Sequence, residues 1–125
     1  MVNTEGYPEQ EEILYCFKIV EKPDSIEVEK YEINRWKLVP MSAWRNRYLF
    51  NGKDINSSYK HDSIQTSKLD RVVNKKLFTF NPSTEDAEKV ITEYFKVCAY
   101  DAQIELNRAE KRLHLWRDRN NGEEI

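Results

Sequence analysis

The chain has few cysteines, histidines, glycines and prolines, and it has no long apolar run. It contains two cysteines, three glycines, four prolines and two histidines among 125 residues. No apolar run approaches the ~18 residues that a transmembrane helix requires. No His-x-x-x-His or Cys-x-x-Cys spacing occurs, and three scattered glycines cannot form a phosphate-cradling loop. The sequence therefore argues against a membrane span, a zinc site and a dinucleotide-binding fingerprint.

The cysteines and the amino-terminal residues indicate a compartment. Residues 1–12 are polar and acidic, unlike a secretory signal peptide, so we expect a cytoplasmic protein. Cys16 and Cys98 each stand alone in an apolar pattern, and we expect both to be core residues without a disulfide. No serine lies in a nucleophile-elbow context, and no carboxylate spacing separates an acid from a base. We therefore expect no enzyme, no cofactor and no metal.

Charge is segregated along the chain, although the net charge is only −2. Residues 1–30 carry eight acidic and three basic side chains, residues 31–80 carry four and ten, and residues 81–125 carry ten and seven. The ten cations of the middle segment are interleaved with aromatic residues, a composition that suits ligands carrying phosphates and bases together. The acidic flanks would repel a long polyanion, so a small anionic ligand is favoured over nucleic acid. A solvated surface is the alternative explanation of this basic segment.

Apolar alternation predicts an antiparallel β-meander of four to five strands between residues 11 and 80. A Pro-containing turn at 22–25 predicts a hairpin between the first two strands, and Asn51-Gly52 predicts a two-residue hairpin turn. Residues 53–68 are polar, and we expect a mobile loop there. The predicted strands are residues 11–21, 26–33, 35–39 (ended by Pro40), 44–50 (from Trp44) and 71–80.

One long helix is predicted to follow the sheet, over residues 82–120. Residues 84–121 contain neither Gly nor Pro, Asn81 or Ser83 can cap the helix, and Pro82 suits its first turn. A break near Tyr100-Asp101, which would give a helical hairpin, is the alternative. The sequence thus predicts an α+β fold in a single domain, residues 1–125.

The helix carries two apolar stripes, which predict two different packing partners. The stripe formed by Ala87, Val90, Ile91, Tyr94 and Cys98 is expected to pack on the protein's own sheet. The other stripe has the alternating spacing of a helix-pairing seam, so we expect a homo-oligomer that forms through the C-terminal helix. Its interface residues are predicted to be Phe95, Ala99, Ala102, Leu106, Ala109, Leu113 and Trp116.

Five residues are candidates for binding an anionic ligand. Arg108 and Arg112 are four apart on one helix face and could form a fork for a phosphate; pairing with Glu105 on a solvated flank is the alternative. Phe80, at the junction of strand and helix, could stack on a base or could anchor the helix against the sheet. Arg71 and Lys76 complete the set, with protection of an edge strand as another role for Lys76.

Residues 76–87, KLFTFNPSTEDA, look like a strand that enters a helix through the segment Phe80–Ala87. With the N-terminal hairpin, this arrangement resembles small bacteriophage accessory proteins and, among them, the first class of Thoeris anti-defence proteins. The resemblance implies an antiparallel sheet, assembly through C-terminal helices, and sequestration of a cyclic ADP-ribose signal without cleavage. It implies Phe80 as the base-stacking ring and Arg108 and Arg112 as the phosphate-binding arginines.

We therefore expect a phage anti-defence protein, located in the cytoplasm of the infected bacterium, that sequesters a cyclic nucleotide immune signal. Three other functions stay open at this point. They are a protein-directed inhibitor of a bacterial defence nuclease (anti-CRISPR-like), nucleic-acid binding through residues 31–80, and an enzyme of unrecognised type.

Overall fold

The computed structural model describes residues 6–40 and 45–124, with side chains as far as residue 120. Within these residues, six strands form one antiparallel sheet in the order β4-β3-β2-β1-β6-β5 and precede a single long α-helix. The predicted α+β class is confirmed, with six strands instead of four or five. The elements are β1 (Glu9–Glu21), β2 (Ile26–Pro40), β3 (Asn46–Asn51), β4 (His61–Gln65), β5 (Val72–Val73), β6 (Lys76–Thr79) and α1 (Thr84–Glu124).

The central hairpin of β1 and β2 follows the prediction. The backbone N–H of Lys22 donates to the carbonyl of Ser25 at 2.8 Å and closes the turn that contains Pro23. β2 is one strand of 15 residues, not the two short strands predicted. Its ladder with β1 is irregular between Ile33 and Arg35, but its pairing with β3 begins at Trp36, so the strand continues. It ends at Pro40, as expected for a residue that cannot donate to a sheet.

The connection between β3 and β4 differs from the prediction. Asn51-Gly52 does not form a two-residue hairpin turn, because Gly52 begins a 3-10 turn, Gly52–Ile55. The segment predicted as a polar loop, residues 53–68, contains β4 as well as two buried side chains, Ile55 and Ile64. The start of the strand predicted at Trp44 lies outside the described residues.

The segment predicted as one strand, residues 71–80, is a tight hairpin of β5 and β6. Asn74 and Lys75 at its turn have φ values of 52° and 62°. Positive φ at two successive central residues reverses the chain with the twist that adjacent strands require. The hydrophobic pattern alone did not reveal this turn, since Lys has little intrinsic preference for positive φ.

The core lies on both faces of β1. One face holds the main apolar cluster, which comprises Leu14, Cys16, Ile33, Phe50, Ile55, Ile64 and Phe78. Strand alternation places Phe17, Ile19 and Leu77 on the opposite face, where they too are buried. β1 is therefore buried on both of its faces.

The chain divides into two compact units, Met1–Ile91 and Thr92–Ile125. The first unit contains the sheet and the first two turns of α1, and the second contains the rest of the helix. α1 is continuous, so the alternative of a break near Tyr100-Asp101 is wrong. Among the described residues, no helix has both the length and the apolar character needed to cross a bilayer.

The start of α1 is fixed by side-chain hydrogen bonds. The hydroxyl of Ser83 accepts from the backbone N–H of Asp86 at 3.1 Å, and Asn81 Oδ1 accepts from the N–H of Ser83 at 2.9 Å. Ser83 is therefore the N-cap, and Pro82 precedes the helix, where the prediction had placed it in the first turn. Lys30 Nζ donates to the Pro82 carbonyl at 2.7 Å and ties this junction to β2.

The first apolar stripe is buried only within the first unit. Ala87 and Ile91 are buried, and Val90 lines a small cavity together with Leu77 of β6. Cys98 is exposed, so the prediction that it is a core residue is wrong. Cys98 belongs to the second unit, which consists of a single helix and has no other element of its own to bury it.

Candidate ligand-binding cleft

A cleft with a volume of about 320 Å³ opens beside the edge strand β4 in the first unit. Both β4 and β5 contribute to its walls, although they are the two ends of the strand order. The sheet is therefore curled, and its two edges approach each other across the cleft. The lining residues on which the argument depends are Arg47, Asp62, Ser63, Lys68, Lys76 and Phe78.

Arg47 is positioned by the neighbouring edge strand. Its Nε donates to the hydroxyl of Ser63 at 2.9 Å, and the Ser63 backbone N–H donates to Asp62 Oδ1 at 2.8 Å. A guanidinium carries five N–H donors in one plane, so a single bond through Nε orients the group without using its other donors. A guanidinium held in this way suits bidentate contact with phosphate oxygens.

Lys76 enters the cleft from the first residue of β6. It lies directly opposite Lys18 in the β1–β6 ladder. Lys18 Nζ is directed to the carbonyls of Ile55 and Asn56, at 3.4 and 3.3 Å. Like charges opposite each other in a sheet are destabilising, and an anion bound near Lys76 would offset that repulsion.

The balance of charge in the cleft is positive, and its lining is mainly polar. Arg47, Lys68 and Lys76 contribute three cations against the single carboxylate of Asp62, a formal charge of +2. Phe78 also lines the cleft, but its side chain is almost fully buried. The cleft therefore offers a ligand mainly charged and hydrogen-bonding groups.

Cys16 is opposite Phe78 in the β1–β6 ladder and belongs to the same core cluster. Burial raises the pKa of the Cys16 thiol to about 12, against a smaller lowering by the nearby charges of Lys76 and Lys18. Loss of hydration therefore outweighs the attraction of the two ammonium groups for a thiolate. The thiol is neutral at physiological pH and is no nucleophile.

The five predicted ligand residues occupy different places. Lys76 lines the cleft. Arg71 is exposed and donates from Nη2 to the carbonyl of Ser67 at 2.7 Å. Arg108 and Arg112 are exposed residues of the second unit, and Arg108 Nη1 is 2.8 Å from Glu105 Oε1, as the alternative interpretation predicted.

Phe80, the fifth predicted ligand residue, belongs to an aromatic cluster with Trp36 and Tyr48. Its ring centroid lies 5.5 Å from that of Trp36 and 5.4 Å from that of Tyr48. The indole N–H of Trp36 donates to the carbonyl of Glu12 at 3.1 Å and orients the ring. All three rings are half-buried against the main core, so Phe80 packs β6 against β2 and β3 where the chain leaves for the helix.

Arg47 and Lys68 were not identified as site residues from the sequence. Both belong to the basic segment 31–80, so its composition did indicate their chemistry. Their meeting in one cleft depends on β4, which the prediction had assigned to a polar loop. The strand signal of β4 is weak, since Ile64 is its one apolar residue.

Among the described residues, no group of three or more His, Cys, Asp or Glu side chains could hold a metal ion. Comparison of the chain with protein-family models, curated proteins and solved structures gives no match. The cleft is therefore the feature of the first unit from which a function can be inferred.

Proposed function

We propose that the protein binds and sequesters a small phosphate-bearing ligand, specifically a cyclic nucleotide immune signal of the cyclic ADP-ribose type, as a phage anti-defence protein. The observation that carries this proposal is the positively charged cleft between the two edges of the curled sheet. In it, the guanidinium of Arg47 and the ammonium groups of Lys68 and Lys76 provide the phosphate contacts.

The size of the cleft supports a small ligand. Its volume of about 320 Å³ is near the lower end of the range of about 300–1,000 Å³ for ligand pockets. A nucleotide could place its phosphates on the three cations of the cleft. The acidic residues 1–30, with a net charge of −5, disfavour a long nucleic acid at the same site.

Sequestration without cleavage agrees with the chemistry of Cys16, the thiol of the first unit. The raised pKa of Cys16 keeps its thiol protonated, and the side chain is fully buried. Binding energy from the cations would then hold the ligand in its intact form.

The proposal is tested by isothermal titration calorimetry of the full chain with cyclic ADP-ribose isomers and cyclic dinucleotides. Inorganic phosphate serves as a probe of charge alone. We expect binding heat with at least one nucleotide, and recovery of the intact nucleotide after heat denaturation of the complex. An absence of heat across the whole panel, or recovery of a cleaved product, would contradict the proposal.

Substitutions of the cleft residues test which side chains contribute to ligand binding. Arg47→Gln and Lys76→Gln each remove one charge from the cleft, and we expect each to weaken binding about tenfold or more. Lys89→Gln is the matched control, because Lys89 is an exposed lysine on the helix that pairs with Glu85 at 3.7 Å. Equal effects of all three variants would indicate a general loss of charge and would contradict the assignment to the cleft.

The helix arginines, which the sequence predicted as the phosphate site, are the alternative to the cleft. If Arg108 holds a phosphate, Arg108→Ala should weaken binding by about 1.5–3 kcal/mol, the range for hydrogen bonds to charged groups. If the cleft holds it, Arg108→Ala should leave the affinity unchanged. Phe80→Leu tests base stacking, and Arg71→Gln tests the remaining predicted contact.

A protein-directed inhibitor of a defence nuclease is the second candidate. The observation that favours it is the exposure of Val97, Tyr100 and Leu115 on α1, outside the predicted oligomer seam. A pull-down from host lysate separates the two functions, since a sequestering protein should bind nucleotide without retaining a nuclease. Variants of these three residues should abolish nuclease capture if the second candidate is correct.

A further inference from the structure

Between residues 99 and 116, the seam along the second unit has a strong asymmetry of side-chain size. Ala99 and Ala102 lie towards the start of this part, after Phe95, and Leu113 and Trp116 lie towards its end, with Leu106 between them. Leu106, Leu113 and Trp116 are 51%, 48% and 54% exposed. A second unit that consists of one helix cannot bury these side chains within itself.

We propose that this seam packs on the same seam of a second copy in an antiparallel orientation, with its two-fold axis between residues 107 and 108. This inference goes beyond the proposed function and does not depend on the cleft. In an antiparallel helix pair, positions related by this axis face each other across the interface. The facing pairs are then Ala99 with Trp116, Ala102 with Leu113, and Leu106 with Ala109.

Each of these three layers contains one small and one larger side chain, so the layers have similar total volumes, and Phe95 lies beyond them opposite Asn120. A parallel pair in register would instead place Ala99 on Ala99 and Trp116 on Trp116. Such layers would leave a gap around residue 99 and crowd residue 116, and both defects are destabilising. Shifting the antiparallel pair by one heptad places Phe95 on Leu113 and Ala99 on Ala109, which repeats the same mismatch.

The charges on one flank of the seam favour the same arrangement. Glu105 and Arg112 occupy equivalent heptad positions on this flank. In the antiparallel pair, Glu105 of each copy faces Arg112 of the other, which gives two opposite-charge contacts near the axis. In a parallel pair, Glu105 would face Glu110 and Arg112 would face Arg117, and all four contacts would be repulsive.

The opposite flank of the seam adds no attraction to the antiparallel pair. There the antiparallel pair places Gln103 beside Glu110, which carries no repulsion. Lys96 of each copy faces Arg117 of the other, which gives two like-charge contacts. The antiparallel pair therefore has two attractive and two repulsive flank contacts, whereas the parallel pair has four repulsive ones, and the balance still favours the antiparallel orientation.

This arrangement also assigns a role to the helix arginines. Arg108 pairs with Glu105 of its own chain at 2.8 Å, and Arg112 would face Glu105 of the second copy. Both guanidinium groups would then share one carboxylate at the interface. Their spacing of four residues follows from that pairing without a phosphate.

Sedimentation equilibrium of the full chain tests the proposal. We expect a dimer of twice the 15.0 kDa chain. Glu105→Arg and Arg112→Glu should each raise the dimer dissociation constant about tenfold, because each replaces two attractive contacts with repulsive ones. The double variant E105R/R112E should restore the dissociation constant to within about threefold of the original, since it re-forms both pairs in reverse.

Glu110→Arg is the matched control, with the same change of charge on the flank that faces Gln103, and it should change the dissociation constant by less than about threefold. Far-UV circular dichroism verifies that each variant keeps its helix. A monomeric wild-type protein would overturn the proposal. So would tightening of the dimer by the single reversals, because that is the response of a parallel pair. Calorimetry with nucleotide on the same variants measures binding to the cleft independently of dimerisation. The dimer proposal and the ligand proposal can therefore fail separately.

Discussion

Gly52 permits a tight turn between β3 and β4 because it has no side chain. A Cβ atom at this position would lie 1.8 Å from the carbonyl oxygen of Tyr59. The backbone N–H of Gly52 donates to the carbonyl of Lys60 at 2.9 Å, and its carbonyl accepts from Ser57 at 2.8 Å. The turn that leads to β4 therefore closes directly over the glycine.

We predict that Gly52→Ala lowers the free energy of unfolding by about 2 kcal/mol, the usual cost of forcing an extra carbon into a packed site. Urea denaturation, monitored by tryptophan fluorescence, measures the change. Lys53→Ala is the control, since Lys53 is exposed and its backbone contact to Asn51 does not involve the side chain. Equal stability of Gly52→Ala and the original protein would show that Tyr59 moves aside without cost.

Cys16 gives the protein a dependence on alkaline pH. The pKa of its thiol is about 12 in the folded protein, compared with 9.0 for an ordinary thiol. A raised pKa means that the folded state holds the proton more tightly than the unfolded state. The corresponding stability is fully present below pH 9 and is lost as the pH rises towards 12.

We predict that the stability of the original protein, relative to Cys16→Ala, falls by about 1.4 kcal/mol between pH 8 and pH 10. Urea denaturation at the two pH values measures the difference, and the comparison with the variant removes the contributions of other titrating groups. A thiol reagent should label Cys98 in the native protein and Cys16 only after unfolding. A constant difference between the two proteins over this range would contradict the burial of Cys16.

At the scale of elements, the start of the helix is the part that sequence pattern and structure describe most consistently. The Asn81-Pro82-Ser83 sequence predicted an N-terminus, and the side chains of Asn81 and Ser83 make the capping contacts. We predict that Ser83→Ala lowers the free energy of unfolding by about 1 kcal/mol. Thr84→Ala is the neighbouring control and should have a smaller effect. Chemical denaturation measures both, and equal effects would show that the hydroxyl of Ser83 contributes nothing specific.

The β1–β2 hairpin and β4 show the limits of prediction from sequence. The β1–β2 hairpin was predictable because apolar alternation and a turn containing proline occur together. β4, with the sequence HDSIQ, was missed because it is an edge strand with a single buried apolar side chain. Its pairing with β3 comes from the ladder and from the buried turn at Gly52, and neither has a local signal. The cleft was missed for the same reason.

At the scale of the whole molecule, the two units have separate proposed roles. The first unit contains a basic cleft that suits a small phosphate-bearing ligand. The second is one helix whose seam suits a second copy. The composition of residues 31–80 and the helical periodicity predicted these two surfaces in general terms. The residues that form the cleft emerged only from the folded sheet, in which β4 and β5 approach each other.

The central claim about the whole molecule is that the ligand binds in the cleft. The most direct measurement is an amide nitrogen–proton NMR titration of the assigned protein with each nucleotide of the calorimetric panel. We predict that at least one nucleotide shifts the amide signals of Arg47, Ser63, Lys68 and Lys76 most strongly, and that the helix signals change little. Shifts concentrated at Arg108 and Arg112, or no shift with any nucleotide, would contradict the account.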